Sequence, residues 1–117
     1  MKHLKEGKKF HRKTGPRKAL LKSLTVNLII NGKIQTTKSK AKETQKQIER
    51  LITIAKKQNL TALRQIKEVL PDKIANKLYY EIAPRYLKRR GGYTRILKTT
   101  TRRKRDATEL VILEFVE

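Results

Sequence analysis

The amino-acid sequence predicts an α+β domain of two layers, in which helices pack on one small sheet. Apolar residues recur at helical intervals through most of the chain, and two β-rich segments follow near its end. The 117 residues are enough for one two-layer core, and neither an internal repeat nor a dividing linker is present. We therefore expect a single domain over residues 1–117, with the order helix, strand, three helices and two strands.

A first helix is predicted to begin at Gly15-Pro16, because proline is tolerated in the first turn, where its missing N–H costs nothing. Asn31-Gly32 supplies residues that accept the left-handed conformation of a helix stop. Residues 33–37 (KIQTT) are partly β-branched, which is typical of a strand. The helix has one apolar stripe that should face the core: Leu20, Leu21, Leu24 and Leu28.

The second helix, from about Ser39 to Lys57, has the strongest periodicity in the chain. Its other side has a row of like charges at intervals of four residues, Lys42, Lys46 and Arg50. Such a row is either a solvated face or a surface beside phosphate, and both readings stay open. The residues predicted to face the core are Ala41, Ile48, Leu51, Ile52 and Ala55.

Two shorter helices are expected next, and both look structural. The first runs from about Leu60 to Leu70, and the second begins after Asp72, a plausible N-cap. Pro84 should move the residue before it out of helical geometry.

Strands are predicted over Tyr93 to Thr99 and Glu109 to Val116. The second (ELVILEFV) is so continuously apolar that it should lie centrally in the sheet. A loop rich in Arg and Lys, residues 100–108, should connect the two strands.

The charge of the chain indicates a polyanionic partner. It contains 31 Lys and Arg against 10 Asp and Glu, a net +21. Residues 1–18 carry a net +7 and residues 85–105 a net +10, so two segments hold most of that charge. A field of this strength disfavours the folded monomer unless a polyanion neutralises it, which points to nucleic acid.

Residues 84–98 (PRYLKRRGGYTRILK) are the strongest candidate for that contact, with six cations and no acid. Gly91 and Gly92 can adopt positive φ and bring backbone N–H groups close to phosphate. Tyr86 and Tyr93 offer rings for an unpaired base, although a simple turn with half-buried tyrosines fits the same pattern. The predicted RNA-binding residues of this region and its following loop are Arg85, Lys88, Arg89, Arg90, Gly91, Gly92, Tyr93, Thr94, Arg95, Lys98, Arg102, Arg103, Lys104 and Arg105.

Residues 1–15 are predicted to form an extended basic arm, since they offer only Leu4 and Phe10 for burial. The arm either becomes ordered on RNA or remains a solvated tail. Its predicted RNA contacts, with those at the start of the first helix, are Lys2, His3, Lys8, Lys9, His11, Arg12, Lys13, Arg17 and Lys18.

Catalysis, metals and cofactors are not expected. The chain has no cysteine, no P-loop ending and no GxGxxG, and both histidines lie in the arm. Its carboxylates are scattered, and Glu43 and Glu49 should face different ways on one helix. No apolar run approaches a membrane span and no signal-peptide core is present, so we expect a cytosolic or organelle-matrix protein without a small-molecule substrate.

The chain resembles the bacterial-type large-subunit ribosomal protein seventeen family over nearly its whole length. The matching segments are Met1-Lys2-His3 with Gly7, Arg17-Lys18-Ala19, Thr36-Thr37 with Lys40-Ala41-Lys42-Glu43, Leu51-Ile52-Thr53 with Ala55-Lys56, and Pro84-Arg85-Tyr86 running to Arg89 and Gly91-Gly92-Tyr93-Thr94-Arg95-Ile96. The last segment is the most specific. The sequence departs from the family at Pro16, where His is common, and at residues 99–105, which are more basic than usual.

This resemblance implies a non-catalytic structural protein of the large ribosomal subunit. It would bind large-subunit rRNA near the exit of the nascent-peptide tunnel, beside neighbouring ribosomal proteins. Two other classes remain alternatives: an architectural DNA-binding protein, which would need a recognition helix or a groove-inserting wedge, and a membrane-active protein, which would need a helix with a Lys-rich face.

Overall fold

A computed structural model describes residues 14–104 and 106–117, and it confirms the predicted α+β class and element order. Four α-helices pack on a three-stranded sheet. A π-helical turn (Leu78–Ile82) and a 3-10 turn (Ala83–Tyr86) continue the fourth helix. The elements are α1 (Thr14–Asn31), β1 (Lys33–Thr37), α2 (Lys38–Ala55), α3 (Leu60–Val69), α4 (Asp72–Lys77), β2 (Thr94–Arg102) and β3 (Glu109–Phe115).

The sheet is antiparallel with the order β1-β3-β2, so the apolar last strand is central, as predicted. Ile34 on β1 and Ile96 on β2 both pair with Leu113, which is fully buried. Side chains alternate between the two faces of a strand, so these three face the helical layer. Leu97, one residue further along, is on the opposite face and is 40% exposed.

Helix α2 is the centre of the helical layer, because it contacts α1, α3 and all three strands. The five apolar residues predicted to face the core are all buried, with Ile48 and Ile52 fully inaccessible. The predicted stripe on α1 is less deeply placed. Leu28 is fully buried, whereas Leu20, Leu21 and Leu24 are only partly buried.

Two boundary predictions between residues 70 and 86 were wrong. Asp72 is the first residue of α4 and Pro71 precedes it as the N-cap. Ala83, before Pro84, keeps helical angles (φ −57°, ψ −38°), and its N–H bonds to the carbonyl of Leu78, five residues back. The chain absorbs the proline by widening one turn to the π pattern and then tightening into a 3-10 turn, instead of ending the helix.

Two predicted irregular segments are shorter than expected. Helix α1 already begins at Thr14, ahead of the proline in its first turn, so residues 14 and 15 are helical. Strand β2 continues to Arg102, so the loop begins at Arg103 instead of residue 100. A register shift lies between Lys98 and Arg102, and β-branched Thr99 and Thr100 suit a strand that continues there.

Candidate nucleic-acid interface

The segment from Arg85 to Gly92 begins in the 3-10 turn, leads toward β2 and presents charge to solvent. We call these residues the basic loop. Its four cations, Arg85, Lys88, Arg89 and Arg90, are exposed, as are both glycines. Gly92 has φ +65°, the left-handed conformation predicted from sequence, and a Cβ at either glycine would meet nothing within 4 Å.

Glu49 of α2 fixes the end of the basic loop. Its carboxylate oxygens accept the backbone N–H of Tyr93 at 2.9 and 3.1 Å, and one of them also accepts the Thr94 hydroxyl at 3.3 Å. Gln45, one turn earlier on α2, donates to the Thr94 carbonyl at 3.3 Å. The first backbone N–H after the glycine pair therefore bonds to a carboxylate of the same chain, so it is not available to phosphate.

Lys56, just after α2, holds the loop from its other side. Its ammonium group donates to the carbonyl of Arg89 and, at 2.8 Å, to the hydroxyl of Tyr93. The Tyr93 hydroxyl in turn donates to the carbonyl of Arg90 at 3.2 Å. The loop backbone is thus tied to α2 by Glu49 and Lys56, and no local pattern in the sequence links these residues to the loop.

Tyr86 and Tyr93 do not offer their rings to a base, since they are only 3% and 1% exposed. Their ring centroids lie 5.4 Å apart at 55°, and the Tyr86 hydroxyl donates to the Val116 carbonyl. Burial raises the pKa of Tyr86, although the charges of Arg85 and Arg89 oppose that rise. The tyrosines pack as core, and Thr94 is also buried, at 6% exposed.

The cations of β2 and its following loop are partly paired within the chain. Arg95 Nε lies 2.7 Å from the Glu114 carboxylate on the neighbouring strand, with the Arg95 side chain 55% exposed. Arg103 bonds to Asp106 at 2.8 Å, and hydrogen bonds from Thr108, then Arg103, lower the pKa of Asp106. Lys98, Arg102 and Lys104 are exposed. The loop is therefore less purely cationic than its sequence suggested.

The like-charge row on α2 is exposed at all three positions, Lys42, Lys46 and Arg50. Lys46 makes a pair with Glu43 at 3.4 Å. Lys46 and Arg50 directly follow Gln45 and Glu49, the two side chains of α2 that hold the start of β2.

The remaining predicted contacts lie elsewhere or are not described. Arg17 is partly buried and Lys18 exposed near the start of α1. Within residues 14–104 and 106–117, no helix is long and apolar enough to cross a membrane, and no histidine or carboxylate cluster could hold a metal. Eight predicted contacts lie outside the described residues: Lys2, His3, Lys8, Lys9, His11, Arg12, Lys13 and Arg105.

Comparison with known proteins gives consistent matches over the whole chain. Residues 20–116 match the family model described as ribosomal protein L17. A protein of Hydrogenobaculum named large ribosomal subunit protein bL17 is 47% identical over 118 residues, with complete coverage of both chains. Proteins of the same name from Sulfurihydrogenibium and Thermus thermophilus are 46% and 44% identical to this chain. Both alignments cover all of this chain, and they cover 98% and 100% of the two relatives.

Proposed function

Because this chain belongs to the ribosomal protein L17 family, we propose that it binds large-subunit rRNA through the basic loop and the exposed row on α2. Its relatives are named as large-subunit proteins, so its role is that of a structural constituent of that subunit, in translation. Position near the nascent-peptide exit, beside other large-subunit proteins of a cytoplasmic ribosome, is the further inference from family membership. The role is one of assembly and scaffolding, without catalysis.

The observation that carries this proposal is a cationic loop whose backbone is already ordered. Four exposed cations lie within six residues, 85–90, while Glu49 and Lys56 fix the backbone beside them. Ordering a loop on binding costs conformational entropy, and a loop held before binding avoids much of that cost. Arginine forks then match phosphate oxygens in pairs, which gives geometric as well as electrostatic recognition.

Within the loop, the roles divide between side chains and backbone. Arg85, Lys88, Arg89 and Arg90 are proposed to contact phosphate or base edges. Gly91 and Gly92 leave the surface open for close approach, since no Cβ projects from it. Tyr93 and Thr94 act behind the surface, where they anchor the loop to α2.

A competition experiment tests the proposal. Large-subunit rRNA and duplex DNA of equal phosphate count compete for the full chain at raised salt, where non-specific phosphate binding is weakened. Preference for the rRNA is the expected result. Equal affinity would instead support a general polyanion binder, including the architectural DNA-binding alternative.

Paired charge variants locate the contact. Arg89→Gln with Arg90→Gln removes two charges from the basic loop, and Arg64→Gln with Lys67→Gln removes two exposed charges from α3. Both variants lower net charge equally, so a larger loss of rRNA affinity in the loop variant is expected. Equal losses would mean that total charge, and not the loop, determines binding.

A further inference from the structure

Three neighbouring depressions lie around the C-terminal end of α1, and we call them together the groove. The middle depression shares Ile30 and Lys77 with one neighbour and Arg85 and Phe115 with the other. The depression near Tyr80 has a volume of about 610 Å³ and the one near Arg89 about 780 Å³. The lining residues of the groove thus range from α4 to the basic loop.

Both apolar and charged side chains line the walls of the groove. Ile30 and Tyr80 line its end near α4 and are 48% and 62% exposed. The walls carry six cations, of which Lys73 and Lys77 are at the far end and the others, including Lys33, lie toward the basic loop. Three carboxylates also line it, and one of them, Glu114, is already paired with Arg95.

The ring of Tyr80 is exposed and contacts one neighbouring ring. Tyr79, only 8% exposed, contacts it edge to face, with centroids 4.7 Å apart and planes at 80°. The π-helical turn contains both residues, and Tyr79 faces the core while Tyr80 faces the groove. The exposed ring of Tyr80 therefore offers a flat surface on which a base can stack.

Lys77 also makes the electrostatic potential at this end of the groove more favourable for an anion. The last carbonyls of α1 form the negative end of its helix dipole, which would repel phosphate. Lys77 Nζ donates to the carbonyl of Ile30 at 3.2 Å and so offsets that negative potential.

We propose that this groove binds an unpaired segment of rRNA, with one base stacked on Tyr80 and the phosphates beside the cations of the walls. The proposal rests on the proposed rRNA-binding function and extends it to single-stranded RNA. An unpaired strand offers free base faces and closely spaced phosphates together, whereas a duplex keeps its bases stacked on one another. An acidic peptide would use the cations but has no planar base for Tyr80.

The test measures anisotropy of a short labelled RNA, used as a single strand and annealed to its complement, with the full chain. Tyr80→Ala leaves the net charge unchanged and is expected to weaken single-strand binding about tenfold, with duplex binding unaffected. Tyr80→Phe keeps the ring and should bind as the original chain does. Leu60→Ala removes an equally exposed apolar side chain, 62%, outside the groove and should have no effect.

Several outcomes would overturn the groove proposal. They are unchanged single-strand binding by Tyr80→Ala, an equal loss on single strand and duplex, or Tyr80-dependent displacement of the RNA by an acidic peptide. If Tyr80→Ala folds poorly, the double variant Lys73→Gln with Lys77→Gln gives a second measurement, and Arg64→Gln with Lys67→Gln is its charge-matched control. Equal losses of single-strand affinity in these two variants would also refute the groove proposal. In each case the unsubstituted chain can still prefer rRNA to duplex DNA, so the proposed function fails only if that separate preference is absent.

Discussion

The carboxylate of Glu49 on α2 accepts the backbone N–H of Tyr93 through both of its oxygens, at 2.9 and 3.1 Å. The backbone N–H that follows the glycine pair, which the sequence predicted to approach phosphate, therefore bonds to a carboxylate of the same chain. The contact orders the basic loop and leaves its arginines facing solvent. The negative charge of Glu49 therefore helps to fix the backbone from which the cations of the basic loop project into solvent.

Replacing Glu49 tests this role. Glu49→Gln removes the charge that strengthens the bonds from Tyr93 and Thr94, and we expect the free energy of unfolding to fall by about 1 to 3 kcal/mol. Urea denaturation measures it. Glu43→Gln, which removes a 3.4 Å pair with the 69% exposed side chain of Lys46, should cost about 0.5 kcal/mol or less. Equal costs would show that the loop contact contributes nothing special.

The same variant separates order from charge in RNA binding. Glu49→Gln makes the chain more cationic, so an interface governed by net charge alone would bind rRNA more tightly. We expect weaker binding instead, because the loop must then be ordered at the moment of contact. Filter binding at fixed salt distinguishes the two directions.

The two glycines of the basic loop should behave differently. Gly92→Ala is expected to lower stability by about 1 to 2 kcal/mol, because an L-residue is strained at φ +65°. Gly91→Ala meets no neighbouring atom and has no positive φ, so its stability should be nearly unchanged. If Gly91 allows close approach of phosphate, its substitution will weaken rRNA binding alone, and unchanged affinity would remove it from the interface.

Arg95 offers a test in which the paired residue is the control. Arg95→Ala removes an exposed cross-strand pair worth at most about 1 kcal/mol, so the melting temperature should change little. We expect weaker rRNA binding and a salt dependence shallower by about 0.7 to 0.9 in the log–log slope. Glu114→Gln breaks the same pair but keeps the arginine, and it should preserve affinity or raise it. Loss of affinity in both variants would mean that the pair, not the phosphate contact, matters.

Stability should decline in alkaline solution through Tyr86. Because burial raises the pKa of Tyr86, the folded state keeps the phenolic proton up to a higher pH than the unfolded chain does. The stability that the protonated Tyr86 contributes is therefore fully present below its ordinary pKa near 10. That contribution is lost as pH rises through the raised pKa. The difference in unfolding free energy between the original chain and Tyr86→Phe should be constant up to about pH 10 and then shrink.

A flat difference for Tyr86→Phe across this range would contradict the prediction. Comparing differences cancels the pH dependence that the two chains share.

The sequence predicted the fold correctly where a pattern of residues was compatible with only one kind of element. The periodicity of α2 and the apolar run of β3 led directly to buried Ile48, Ile52 and Leu113. Pro84 misled because its effect depends on hydrogen bonds nearby, and a π-helical turn accommodated it. The propensity of Pro84 reflects only its neighbours in sequence. Here the hydrogen bonds of the whole turn Leu78–Ile82 determine the conformation of Ala83.

The candidate site was predictable in its charge but not in its support. Clustered Arg and Lys residues mark the basic loop without any structural knowledge. Glu49 and Lys56 act on it from more than thirty residues away in sequence, and such a contact has no local signal. The tyrosines of the loop were ambiguous because a ring that stacks on RNA and a ring that packs in a core have the same sequence context.

The central position of β3 also bears on how the chain acquires its fold during synthesis. Strands β1 and β2 bond to β3 and not to each other, so β1 emerges with no strand partner until residues 109–115 have been made. Sheet formation therefore depends on contacts distant in sequence, which form slowly because a long loop must close first. Until then the apolar side of α2 has no sheet to cover it, and the nascent chain must keep that surface from associating with others.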